Sequence, residues 1–163
     1  MTYQEIILVI IMIFSIIGTL YNLSFRRKII VYEKRTAHFI WAPILTFIIF
    51  TLIIFRFSHS NWNFLIILSI AILYFSGLFT GGLTSSSFIF FNGGLSIVNN
   101  RKFSNFQRIV LTNVPEKKAI KLLGKTHFSF FEQLFHESDE PQIIELLEDA
   151  GIQIDRGPLN LNQ

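Results

Sequence analysis

Three transmembrane α-helices followed by a small α+β domain, an antiparallel sheet with a C-terminal helix, is the architecture this sequence predicts. Three observations predict it. Apolar runs at 6–23, 39–55 and 62–79 carry no charge. A Gly/Ser-rich stretch then ends the apolar half, and short strand-like segments follow it. The last of these gives way to a capped amphipathic helix. Composition agrees: 51% of the residues are hydrophobic, 15% are charged, nineteen are Phe and the mean hydropathy is +0.50, whereas a soluble domain carries about 25% charge.

The first run, Ile6–Leu23 (IILVIIMIFSIIGTLYNL), has the length needed to cross about 30 Å of hydrocarbon. Glu5 precedes it and Arg26-Arg27-Lys28 follow it. A cleaved signal peptide has the opposite arrangement, so the run reads as a retained helix. The second span, Phe39–Phe55, has Trp41 near its start, Pro43 in its first turn and Arg56 at its end; the third, Trp62–Phe79, has Trp62 and Tyr74 as interface anchors. None has an ionisable residue at its centre, where pumps and ion-coupled transporters place one. Ser15, Thr19, Thr46, Thr51 and Ser69 have two readings, bonding back to the preceding turn or across to another helix. Gly77-x-x-x-Gly81 fits either a close helix approach or a helix terminus.

Charge orients the spans. The loop Phe25–His38 holds five Lys/Arg and Arg56–Asn63 holds one. The positive-inside rule therefore places the N-terminus outside and everything after the third span in the cytoplasm. Residues 1–83 form the membrane region, 84–156 a cytoplasmic domain and 157–163 a flexible tail.

Thr80–Ser87 (TGGLTSSS) is a flexible exit from the membrane. Phe88–Val98 is too short to span as a helix, and Asn92-Gly93-Gly94 is a hairpin turn signal. Strands are expected at Ser86–Phe91 and Leu95–Val98, with a turn at Asn99–Lys102. Phe106–Val114, Ala119–Lys125 and Thr126–Leu134 read as further strands, with turns at Pro115-Glu116-Lys117 and Gly124. Asp139 caps the last helix, Gln142 holds the capping-box position, Pro141 suits the first turn and Gly151 suits the C-cap. Its stripe is Ile143, Ile144, Leu146 and Leu147.

The run FIFFNGGLSIVNNRKFSNFQRIVLTNV, a charged turn, two strands and IIELLEDAGI resemble the pleckstrin-homology-like (PH-like) domain of small bacterial membrane proteins. In those proteins two or three spans precede a small cytoplasmic domain. The resemblance covers Ser85–Ile154 and rests on the Gly93-Gly94 turn, the strand with Phe106 and Ile109, and the final helix; the family often has Trp where Phe106 stands. It implies a binding or scaffolding module with no catalytic set.

Residue chemistry points the same way. With no Cys, and with His38, His59, His127 and His136 far apart, neither a thiolate nucleophile nor a zinc site is expected. Neither glycine pair fits a phosphate loop, and the serine triplet lacks a nucleophile-elbow context. His136 beside Glu137, Asp139 and Glu140 reads as a solvated loop at a helix start. No enzyme activity and no cofactor are expected. From Arg101 to Lys125 there are seven basic residues against Glu116, and from Glu132 to Asp155 eight acidic residues and no Lys or Arg. The domain is thus near neutral, which disfavours nucleic acid. The cations expected to face lipid are Arg26, Arg27, Lys28, Lys34, Arg35, Arg101, Lys102, Lys117 and Lys118. The expected partners are the anionic leaflet and either another protein or a second copy of the chain, with Phe131, Ile143 and Leu147 as the candidate partner face. The expected function is a non-enzymatic interaction or regulatory module at the membrane surface. The alternatives are immunity against a pore-forming peptide, or a small subunit of a transport complex.

Overall fold

A run rich in Ile, Leu and Phe, with no Pro and with charge only at its ends, makes helix α1 (Tyr3–Arg26), which ends on Arg26, where a cation favours the dipole. The computed structural model that shows this describes residues 3–57, 61–91, 96–106, 108–126 and 130–157. Helices α2 (Ala37–Phe57) and α3 (Asn61–Leu78) are mostly apolar, with Arg56 in the last turn of α2 and Asn61 and Asn63 at the start of α3. One helix among the described residues is long and apolar enough to cross a membrane, over Glu5–Arg26 with a mean hydropathy of 2.5; Phe39–Ile53 and Trp62–Leu78 are shorter apolar helices. Because α2 begins at Ala37, Pro43 lies inside the helix and not in its first turn, and the Phe39 carbonyl loses its helical donor.

The chain folds as two units interleaved along the sequence. The first contains residues 1–26, 35–80 and 91–98. Within it α1 packs on α3, where a Cβ on Gly18 would stand 2.7 Å from the Leu73 side chain. Phe47 of α2 meets the rings of Tyr74 and Phe75 at 5.6 and 5.5 Å. Thr46, Thr51 and Ser69 donate to carbonyls one turn back, which settles their role.

The second unit contains residues 27–34, 81–90 and 99–163, and it is α+β. Sheet A runs β1 (Val31–Tyr32), β2 (Gly82–Leu83), β3 (Ser87–Phe90), β4 (Asn99–Lys102), all antiparallel. Sheet B runs β7 (Phe130–His136), β6 (Ala119–Lys125), β5 (Arg108–Val114), β8 (Ile154–Arg156), with β8 parallel to β5. Period-2 alternation puts Ile109 and Leu111 of β5, Ile120 and Leu122 of β6, and Phe131 and Phe135 of β7 in one core with Val31, Leu83 and Phe88. Helix α4 (Glu140–Asp149) buries Ile143 and Leu147 in the same core. Phe88 lies at the centre of an aromatic cluster, 4.7–4.9 Å from the rings of Phe103, Phe106 and Phe131.

Several expected details change. Phe90 pairs with Asn99, so the ladder of β3 and β4 ends there and 91–98 connects the strands. Asn99–Lys102, expected as a turn, is strand β4, and the described part of the expected strand Leu95–Val98 is not a strand. Asn92, Gly93, Gly94 and Leu95 lie outside the described residues, as do His59, His127, Phe128, Ser129 and the tail from 158. The third sheet B strand begins at Phe130, not Thr126. Pro141 is in the first turn of α4 and Gly151 takes the left-handed C-cap conformation at φ +72°. Asp139 stands at the N-cap but makes no capping bond; its carboxylate accepts from Ser138.

Candidate functional site

The loop between α1 and α2 is built into the α+β unit. Val31 pairs with Leu83, the Ile30 N–H donates to the Leu83 carbonyl (2.8 Å), and the Glu33 N–H donates to Gly81 (3.0 Å). Its far end reaches the other sheet: the Lys34 N–H donates to the Leu134 carbonyl on β7 at 2.7 Å. Sheet A and sheet B are thus stitched by the same short segment, which covers two exposed strand edges.

Lys34 also brings cations together. Its ammonium donates to the carbonyls of Lys117 (2.7 Å) and Lys118 (2.8 Å), which lie 83 and 84 residues away in sequence. The acceptors lie in the β5–β6 connection, a 3-10 turn at Pro115–Lys117 closed by Lys118 in the left-handed region at φ +45°. Lys117 and Lys118 are exposed. Two carbonyls orient an ammonium without neutralising it, so the Lys34 charge is held at the turn that carries Lys117 and Lys118.

Not all the expected lipid-facing cations join them. Arg26 is exposed at the end of α1, and Arg35 lies over the Phe39 ring at 4.9 Å; both belong to the helical unit. Arg27 and Lys28 are exposed at the start of the segment that leads into β1. Arg101 and exposed Lys102 lie on β4, with Arg101 over the Phe90 ring at 5.4 Å. The expected partner face is not a surface. Phe131, Ile143 and Leu147 are 7%, 0% and 0% exposed and belong to the core. The outward aromatic of β7 is Phe130, beneath the Lys125 ammonium.

Two polar residues not singled out in the sequence are among the most buried. Gln133, 2% exposed on the inward face of β7, donates to the Ile89 carbonyl (2.7 Å) and to the Glu33 carboxylate (3.1 Å). It ties sheet B, sheet A and the α1–α2 loop. Its place in the alternation Phe131, Gln133, Phe135 was the available signal.

Asn22, fully buried in the helical unit, donates to the Ser96 carbonyl (2.9 Å) and to Ser76 Oγ (2.9 Å), and accepts from the Val98 N–H at 3.0 Å. A lone amide within an apolar run was its signal. Gly77, read as part of a small-residue pair, serves this same place: a Cβ there would stand 2.7 Å from the Ser96 carbonyl and 2.8 Å from the Phe91 ring. Gly81 lies beyond α3, in the other unit.

No group of three or more His, Asp or Glu among the described residues is placed to hold a metal ion. Comparison with protein-family models, with curated proteins and with solved structures finds no match.

Proposed function

We propose that the chain is a three-span membrane protein whose α+β unit is a PH-like, non-enzymatic interaction or regulatory module held at the anionic cytoplasmic leaflet. The observation that carries this reading is the pairing of Val31 with Leu83. One residue lies between α1 and α2, the other just after α3. Two such connections must lie on one side of a bilayer, as they do when three helices each cross it once.

Other features support it. Ile10, Ile13 and Ile17 of α1, Leu45, Leu52 and Phe55 of α2, and Leu68 and Ile72 of α3 are all exposed, a surface that suits lipid and not water. At 1.5 Å per residue, α2 (21 residues) and α3 (18 residues) extend about 31 and 27 Å, close to the hydrocarbon thickness. Two small sheets and a C-terminal helix fit the PH-like resemblance; β8, which follows the helix and pairs parallel, departs from its pattern.

Single-cysteine labelling tests the topology cleanly, since the chain has no Cys of its own. With a membrane-impermeant maleimide on intact cells, Tyr3→Cys should react, whereas Lys28→Cys and Lys117→Cys should react only after permeabilisation. Reaction of Lys28→Cys and Lys117→Cys from opposite sides would sink the three-span reading. The leaflet contact has its own test, with an environment-sensitive probe on Glu116→Cys in vesicles. Anionic lipid should shift its emission, and Lys34→Gln/Lys117→Gln/Lys118→Gln should abolish the shift, because each cation near such a surface contributes about 1 kcal/mol. An unchanged shift in the triple variant would remove the turn from the lipid contact.

A further inference from the structure

Strands β3 and β4 belong to the α+β unit, yet the segment joining them, 91–98, belongs to the helical unit. Its described residues sit among α1 and α3. The Phe91 ring packs edge-on against Tyr74 at 5.1 Å, and both Phe91 and the Ser96 carbonyl close over Gly77. Ile97 goes deeper: its Cγ1 lies 3.7 Å from where a Cβ on Gly18 would stand. Gly18 precedes Arg26, the charged end of α1, by more than two helical turns, or about 12 Å along the axis.

We infer that the β3–β4 connection is re-entrant at its described residues, Phe91 and Ser96–Val98, which dip from the cytoplasmic side into the membrane-embedded helices, with Ser96 and Val98 held there by Asn22. The inference rests on the three-span reading above. Its physical basis is the rule that main-chain N–H and C=O groups at hydrocarbon depth must find partners within the protein, which non-helical backbone does only where it is enclosed. Asn22 supplies both partners from one side chain. Its amide NH2 donates to the Ser96 carbonyl while its amide oxygen accepts from the Val98 N–H, the pattern by which a neighbouring strand would satisfy an extended chain. The same NH2 donates to Ser76, whose own hydroxyl donates to the Leu73 carbonyl, so the network closes within α1 and α3. A polar side chain in an otherwise apolar run is thereby explained.

The test uses the full chain in native membranes, with Ile97→Cys and Lys117→Cys compared after permeabilisation. Ile97→Cys should react with the impermeant maleimide at least about tenfold more slowly, and Asn22→Leu should raise its rate by a similar factor, because two main-chain groups lose their partner. Lys117→Cys should be unaffected by Asn22→Leu. If Ile97→Cys reacts as fast as Lys117→Cys in the chain that keeps Asn22, the re-entrant segment is refuted whether or not the Asn22 variant folds. Protection of Ile97→Cys that survives Asn22→Leu would refute Asn22 as its anchor. Opposite-side labelling of Tyr3→Cys and Lys117→Cys separates either result from failure of the three-span reading.

Discussion

Replacing Gly82 by Ala is expected to lower the unfolding free energy of the α+β unit by about 3 kcal/mol or more, the range of severe core and backbone defects. Two effects combine. Gly82 has φ +149°, a conformation that side chains rarely adopt, and an added Cβ would stand 2.1 Å from the Val31 carbonyl oxygen and 2.8 Å from Ile29 Cγ2. The first neighbour is backbone, which cannot rotate away, so β1 and β2 must part. Gly82 pairs with Tyr32 on one side and Ile89 on the other, so the parting opens sheet A at the strand that closes it. Gly151→Ala is the internal control. It also has positive φ, at +72°, but nothing lies within 4 Å of the added methyl, so only the conformational cost of about 1 kcal/mol remains. Denaturant unfolding of the full chain in detergent, followed by near-UV circular dichroism, separates the two. Equal losses would show that the β1–β2 approach is looser than its geometry.

What the sequence discloses about this fold follows from range. Helix α1, strands β3, β5 and β6, and helix α4 are all legible, because each carries its own periodicity or end signals over enough residues to be read locally. Strands β1 and β2 have two residues each, too few for any period, and β1 exists only through its pairing with β2 across about fifty residues of sequence. Strand β8 has three residues and depends on β5 in the same way. Strand β4 is a subtler loss: Asn99-Asn100-Arg101-Lys102 has the composition of a turn, and its extended form comes from pairing with Ser87–Phe90 on one side. Polar residues suit such an edge strand, which has few apolar neighbours and needs protection against further pairing.

The candidate site divides similarly. That Lys117 and Lys118 lie in an exposed turn is readable from Pro115-Glu116-Lys117. That Lys34 joins them is not, because the contact spans α2, α3 and strands β2 to β5 in sequence. The interaction that organises the cations also changes what the basic loop is. It is a structural part of the folded α+β unit. Asn22 and Gln133 share one physical character: each is a single buried amide that bonds main-chain groups of distant segments, Asn22 through both donor and acceptor and Gln133 through its donor to the Ile89 carbonyl. Amides are suited to this, offering both polarities without a charge to desolvate.

The contrast between a partner face and a core face on α4 gives the second large expected effect. Ile143→Ala and Leu147→Ala should each destabilise the α+β unit by about 2–5 kcal/mol, the range for deleting fully buried aliphatic side chains. Both side chains join the cluster containing Phe135, Ile109 and Leu122, so their effects should couple and not simply add. Together they should consume much of the 5–15 kcal/mol or so that a domain commands. Glu145→Ala, on the exposed side of the same helix, should change stability by no more than about 0.5 kcal/mol. The ordering of these three variants discriminates between the two roles. A helix presenting its apolar stripe to a partner would tolerate all three in the unbound chain and lose only association. A helix that closes two sheets must unfold them when its stripe is cut away. Ile143 and Leu147 have no exposed surface left to offer, and the packing leaves outside the cationic turn around Lys34, Lys117 and Lys118, the basic edge strand β4, and the acidic outer face of α4 with Glu145, Glu148 and Asp149.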